Sequence, residues 1–175
     1  MTVARKLHHP IAVFVVAVFV VIGIGVGVGA LGWNEPLPGT GVSHEYGLSG
    51  YRFRARFPGP VKCTVIQEGA LAVHVCESNE SRVGFTVVVS GGPPPSDILS
   101  ALNARGKTVR FGPIYGYRTP IRCDAVGLAH HEQSCGAEML LTDGKTSWQV
   151  GVFGTVPSGT TQPMTQFLDS FRPIG

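Results

Sequence analysis

Alternation of apolar and polar residues is the clearest pattern in the chain after residue 50. The segment 51–57 alternates four apolar residues with three arginines: Tyr51, Phe53, Ala55 and Phe57 with Arg52, Arg54 and Arg56. A period of two is typical of a half-buried strand, so the apolar side chains should face a core and the arginines should face outward. Similar patterns predict further strands over 61–67, 71–77, 83–89, 117–123, 137–141 and 147–153. Asp143-Gly144 between the last two is a strong hairpin signal.

Two shorter stretches have helical periodicity. Ile98, Leu99 and Leu102 share one face of a short helix that should end before Gly106. Near the C-terminus four apolar residues fall at i, i+3, i+4 and i+7: Met164, Phe167, Leu168 and Phe171. The second helix should end before Pro173.

The N-terminal part has a different pattern. Twenty uncharged residues, Ile11–Ala30, follow Arg5 and Lys6, and no basic residue occurs again until Arg52. A helix of this length spans roughly 30 Å, the thickness of the bilayer's hydrocarbon core. The basic flank predicts a cytoplasmic N-terminus. A cleaved signal peptide is the alternative, but its apolar region would typically be only about 7 to 15 residues long.

These patterns together predict the organisation of the chain. We expect an α+β fold, in which an N-terminal transmembrane helix precedes an antiparallel β-sheet covered by two short helices. The boundaries would be a cytoplasmic tail at 1–10, a transmembrane helix at 11–32, a linker at 33–49 and an extracytoplasmic α/β domain at 50–175. The expected location is therefore the cell membrane, with a single pass.

Glycines in the apolar segment raise the question of association within the membrane. The spacings Gly23-xxx-Gly27 and Gly25-xxx-Gly29 would let two helices approach closely, giving a weak homodimer. Glycines at every second position, however, are spread around a helix instead of forming one stripe, which favours a span without a partner.

Charge narrows the range of partners. The formal net charge of +3 includes Arg5 and Lys6, so the remainder of the chain carries only +1. This near balance argues against nucleic acid as a partner.

The four cysteines all lie in the predicted outer domain, where an even number usually means disulfides. A two-residue Gly69-Ala70 turn would place Cys63 opposite Cys76 as a non-hydrogen-bonded pair, close enough for a disulfide. Cys123 and Cys135 are then paired by elimination.

The segment 123–135 also contains zinc-ligand residue types: Cys123, His130, His131, Glu132 and Cys135. Adjacent histidines on a strand point to opposite faces, and the spacing matches no zinc-finger pattern, so we favour a disulfide without a metal.

We predict no cofactor. The sequence has no G-x-S-x-G elbow, and we expect no catalytic activity.

Two short motifs carry a resemblance to a known family. The first is Gly50-Tyr51-x-Phe53-x-x-x-Phe57-Pro58-Gly59, and the second is Phe167-Leu168-x-Ser170-Phe171. On these motifs the domain resembles the PsbP-like α/β family, which includes envelope proteins of actinobacteria. The resemblance implies a non-enzymatic docking or assembly role.

The row Arg52, Arg54 and Arg56 is the candidate partner-binding surface. Three guanidinium groups along about 14 Å of strand would suit an envelope protein, or a lipid or polymer component. The alternative for this row is a solvated outer face.

For the whole protein we expect a membrane-anchored binding or assembly module of the cell envelope. A carrier of a lipid or apolar ligand in a groove between helix and sheet, and an envelope hydrolase, are the alternatives.

Overall fold

Extended backbone dominates the part of the chain that the structure describes. This is a computed structural model, and it describes residues 43–46, 51–68, 71–126 and 131–175. Of these residues, 59% lie in strands and 14% in helices. The elements in chain order are β1 (Ser43–Tyr46), β2 (Phe53–Arg56), β3 (Lys62–Glu68), β4 (Leu71–Glu80), β5 (Val83–Gly91), α1 (Ser96–Asn103), β6 (Lys107–Phe111), β7 (Ile114–Arg118), β8 (Arg122–Val126), β9 (Glu132–Thr142), β10 (Thr146–Pro157), α2 (Gln162–Ser170) and β11 (Arg172–Pro173).

The predicted α+β class was wrong, because the described domain is mostly β-sheet. Short segments without a clear apolar pattern form additional strands, and the central strands β9 and β10 reach 11 and 12 residues. Strand β1 falls within the predicted linker 33–49 and pairs with β2. The domain therefore contains a second sheet that the sequence analysis did not anticipate.

The two sheets are both antiparallel. The large sheet has eight strands in the order β3-β4-β5-β10-β9-β7-β6, and β8 also pairs with β9. The small sheet has the order β1-β2-β11. Strand β2 supplies the inward side chains Phe53 and Ala55, and Phe57 follows it directly. All three belong to the same core as Phe85 and Trp148 of the large sheet. The small sheet therefore covers one face of the large sheet, which we call the core face.

Helix α2 completes this core. Phe167 contacts both sheets, because its ring lies 5.0 Å from the Phe57 ring and 5.2 Å from the Phe85 ring, measured between centroids. Just after the helix, Phe171 stacks on Phe53 at 5.6 Å. The predicted apolar stripe is confirmed, since Met164, Phe167, Leu168 and Phe171 are all at most 2% exposed.

The predicted strand 117–123 was wrong, because two strands occupy this segment. Strands β7 and β8 lie along the same edge of β9, and the chain breaks between them around Pro120, which has no amide hydrogen to donate. Thr119 spans the break: its amide donates to the Glu138 carbonyl at 2.8 Å, and its hydroxyl accepts from the Glu138 amide at 2.9 Å.

Two hairpin predictions are confirmed. The β3–β4 register places Cys63 opposite Cys76, as the turn count predicts. The β9–β10 hairpin turns at Asp143-Gly144, where Gly144 has a φ of +87°. The Asp143 carboxylate accepts hydrogen bonds from the amides of Lys145 and Thr146 at 2.8 and 2.7 Å.

Both predicted disulfides are present, Cys63–Cys76 and Cys123–Cys135. Disulfides persist in oxidising compartments, so the domain is extracytoplasmic. The predicted transmembrane helix at 11–32 and its glycine spacings lie outside the described residues. Within the described ranges, no helix combines the length and the apolar character that crossing a bilayer requires.

Candidate functional site

The candidate site is the outward face of β2 and of the residue before it, which together carry the arginine row Arg52, Arg54 and Arg56. All three side chains are exposed, while the intervening Phe53 and Ala55 are fully buried. The strand turns its side chains alternately because successive residues in β structure point to opposite faces. The predicted orientation of this segment is therefore confirmed, and its role in binding remains a prediction.

Hydrogen bonds to the core fix both ends of the row. The Arg52 carbonyl accepts from the indole Nε1 of the buried Trp148 at 2.9 Å and from the amide of Ile174 at 2.8 Å. At the other end, the Arg56 amide donates to the Ser170 hydroxyl at 2.8 Å. The backbone that carries the three guanidinium groups is thus held on a packed core, so a partner would meet charges with a fixed spacing.

A fourth arginine joins this face through β11. Arg172 lies opposite Arg54 in the register of the small sheet. Its guanidinium donates to the carbonyls of Asp169 and Phe171 at 2.7 and 2.6 Å, and it lies 5.4 Å from the centre of the Phe111 ring. Carbonyls at a helix C-terminus attract cations, so this side chain is held at the end of α2. Arg172 was not predicted as part of this face, because it lies outside any local alternating pattern.

Several acidic residues lie near the row. Glu45 of β1 lies opposite Arg54 in the register of the small sheet. Asp169 on α2 forms an ion pair with Arg118. Asp143 lies near Arg52: burial acts to raise the pKa of Asp143, but hydrogen bonds from backbone amides and the charge of Arg52 outweigh it and leave the pKa below its ordinary value. Asp143 therefore stays ionised and partly offsets the charge at one end of the row.

Two arginines opposite one another in a sheet repel each other, and like charges in this arrangement destabilise it. Arg54 and Arg172 are such a pair by register. Glu45 lies opposite Arg54 on its other side, so the basic residues on this face outnumber the acidic ones without standing alone. Guanidinium groups form paired hydrogen bonds with carboxylates and phosphates. The face therefore suits an anion better than a cation or an apolar surface.

The described residues among the zinc-ligand types between 123 and 135 have other partners. Cys123 and Cys135 are joined as a disulfide, and Glu132 forms a two-pronged ion pair with Arg82, with N–O distances of 2.6 and 3.3 Å. This pair lowers the pKa of Glu132 through the hydrogen bond and the charge of Arg82. His130 lies outside the described residues, among which no cluster of His, Cys, Asp and Glu has metal-binding geometry.

His74 lies opposite Val65 in the β3–β4 register, and its ring is half-buried. It meets the Tyr51 ring edge-on at 4.6 Å between centroids. Burial lowers the pKa of His74 and raises that of Tyr51, so both groups favour their neutral forms. This arrangement suits packing at the margin of the core.

Two carboxylates occupy the opposite face of the large sheet, which we call the outer face. Glu77 and Glu138 lie on the same rung, separated by Thr86 and Gly151 on the intervening strands. Burial raises the pKa of both, and the nearby charges of Lys62 and Arg105, respectively, reduce the effect. Because they are about three strand spacings apart, roughly 14 Å, they do not form a catalytic pair.

Comparisons with known proteins add little to this geometry. No family model matches the chain, and no curated protein matches it. Among solved structures, the chain is similar to a crystal structure of a protein from Bacteroides thetaiotaomicron VPI-5482, with 11% sequence identity and a TM-score of 0.41. The similar region covers 72% of this chain and 46% of that chain, so this chain spans about half the length of that protein. A similarity this weak supports no argument about function.

Proposed function

We propose that this protein is a non-catalytic binding or assembly module of the cell envelope that engages an anionic partner through the arginine row. The supporting observation is the exposure of Arg52, Arg54 and Arg56 on a strand whose opposite face is fully buried. A carboxylate- or phosphate-bearing surface, on an envelope protein, a lipid or a polymer, has the chemistry that this row would bind.

The proposal includes attachment to the membrane through the apolar sequence 11–30. The row belongs to β2, near the N-terminal side of the domain, and so follows the apolar sequence closely along the chain. An assembly role also agrees with the resemblance to the PsbP-like family, in which docking is the implied activity. A domain that holds a partner near the membrane needs a rigid charged face and no catalytic group.

The packing of α2 is our reason for preferring this proposal to an apolar-ligand carrier. A carrier would need open space between the helix and the sheet. Here Phe57, Phe85 and Phe167 fill that interface with ring contacts near 5 Å. An envelope hydrolase gains no comparable support, because His74 packs against Tyr51 and neither group is poised as a base.

The experiment is a pull-down of the full-length protein from membranes. The variant R52E/R54E/R56E should lose the partners that the wild type retains, and the retained partners should dissociate as salt is raised. A matched control, K107E/R110E/R122E, makes the same change in net charge at exposed basic residues of β6 and β8. Partners that remain bound to the row variant would refute the proposal, as would equal losses from both variants.

A further inference from the structure

Strand β3 forms one edge of the large sheet and has unusual surface chemistry for an edge. Among the described residues, β3 pairs with β4 alone. Val65 and Ile66 in its middle are 45% and 37% exposed. An edge strand with exposed apolar side chains can pair with another strand, and many proteins protect such edges with charge. Strand β3 has charged residues only at its two ends, whereas the other edge, β6, carries the exposed Lys107 and Arg110.

The register of the hairpin shows which backbone groups of β3 face outward. Cys63 and Cys76 have a Cα–Cα distance of 4.1 Å, as expected for a non-hydrogen-bonded pair. Alternation along the strand then directs the amide and carbonyl groups of Cys63, Val65 and Gln67 away from β4. These three residues present donors and acceptors at regular spacing to an incoming strand.

We propose that β3 is the site at which two copies of this chain associate, by antiparallel pairing of β3 with β3 across a two-fold axis at Val65. In this register Val65 lies opposite Val65 of the second copy, and Cys63 lies opposite Gln67. The outward-facing groups then form about six backbone hydrogen bonds, two for each such pair. The two large sheets become continuous.

Charge complementarity favours a second copy of this chain as the partner of the β3 edge. The strand begins with Lys62 and ends with Glu68, and antiparallel pairing centred on Val65 places Lys62 of each copy opposite Glu68 of the other. Opposite charges facing one another across a strand pair stabilise it, and both ends of the pairing gain one such contact. Ile66 lies opposite Thr64 of the second copy, which removes exposed apolar surface from water. No other register centred on this strand pairs both charges with opposite charges.

The test is a charge exchange, measured as the oligomeric state of the full-length protein in detergent by light scattering over a concentration series. K62E places a carboxylate opposite Glu68 of the second copy, and E68K places an ammonium group opposite Lys62. Each single variant should raise the dimer dissociation constant at least about tenfold. The double variant K62E/E68K restores both pairs between the copies and should lower the dissociation constant below that of either single variant. Lys62 also lies opposite Glu77 in its own hairpin, and K62E alters that contact equally in the single and the double variant.

Recovery of the dimer in the double variant would show that the single variants weaken the contact between copies and do not unfold one copy. Within one copy, positions 62 and 68 are about 20 Å apart along the strand, so they cannot compensate one another there. V65K should also abolish the dimer by placing two ammonium groups at the two-fold axis. The matched control is V126K, because Val126 is 44% exposed but lies on β8, away from β3. This control should leave the dimer intact.

Three results would overturn the proposal. The first is a wild-type protein that remains monomeric at the highest attainable concentration. The second is a dimer that persists in K62E and V65K, which would assign association to another part of the chain, such as the apolar segment 11–32. The third is a double variant that stays as weak as the single variants, because the register of the pairing would then be wrong.

Discussion

Gly116 gives the sharpest test of the close packing between β7 and β9. A methyl group added at this position would lie 1.8 Å from the carbonyl oxygen of Leu140 and 2.8 Å from the Cα of Leu141. Both contacts are to backbone, which cannot rotate away as a side chain can. Gly116→Ala should therefore force the two strands apart or break their pairing.

The size of the effect follows from the displacement. Real Cβ atoms essentially never approach closer than 3.0 Å, so the strands must separate by about 1.2 Å at this point. Overpacking costs about 1 to 3 kcal/mol when side chains can adjust, and a rigid backbone contact should reach the upper end or exceed it. We expect a loss of about 3 kcal/mol in the free energy of unfolding, out of a total of roughly 5 to 15 kcal/mol.

The assay is urea unfolding of the compact unit, residues 34–175, followed by circular dichroism. Gly91→Ala is the matched control, because Gly91 also lies in a strand and an added methyl group would meet no atom within 4 Å. The control should be neutral or slightly more stable, since alanine restricts the unfolded chain. Similar urea midpoints for the two variants would show that the β7–β9 contact is not as close as described here.

Three further predictions concern the pH response, one turn and one disulfide. Burial raises the pKa of Glu138, so its stabilising contribution is present at acid pH and lost as the pH rises through the raised pKa. Glu138→Gln should therefore raise the urea midpoint at neutral pH. A gain that persists below about pH 4.3 would contradict this prediction. Ser81 has a φ of 47°, a left-handed conformation that asparagine adopts more readily than serine. Ser81→Asn should therefore raise the free energy of unfolding by about 0.5 kcal/mol in the same assay. A lower free energy of unfolding would count against the turn geometry. The double variant C63S/C76S should cost about 3 kcal/mol by releasing a loop with a sequence separation of 13, and an unchanged midpoint would show that the disulfide does not stabilise the domain.

Local patterns predicted the parts of the fold that depend on nearby residues. Alternation gave the inward and outward faces of β2 because side-chain direction has a period of two. The position of Cys63 opposite Cys76 could be counted from a two-residue turn, since the turn length fixes the hairpin register. The arginine row followed from the same alternation.

The remaining parts depend on pairing between distant segments. Strand β11 has only two residues, and its pairing with β2 connects positions more than 100 residues apart, so neither Arg172 nor the second sheet had a local signal. Strand β6 was missed although Val109 and Phe111 alternate with polar residues, because a short run gives a weak pattern. These omissions made the sheet content too low and led to the wrong fold class.

Trp148 lies beneath the arginine row and provides an optical reporter for it. Its indole is fully buried, and its Nε1–H binds the Arg52 carbonyl, so a shift of β2 would break that bond and let water reach the ring. The chain has only two tryptophans, and replacing Trp33 with phenylalanine would leave the emission of Trp148 alone. A partner that docks on the arginines without disturbing the strand would leave this emission at short wavelength, whereas one that pulls the strand outward would shift it to the red.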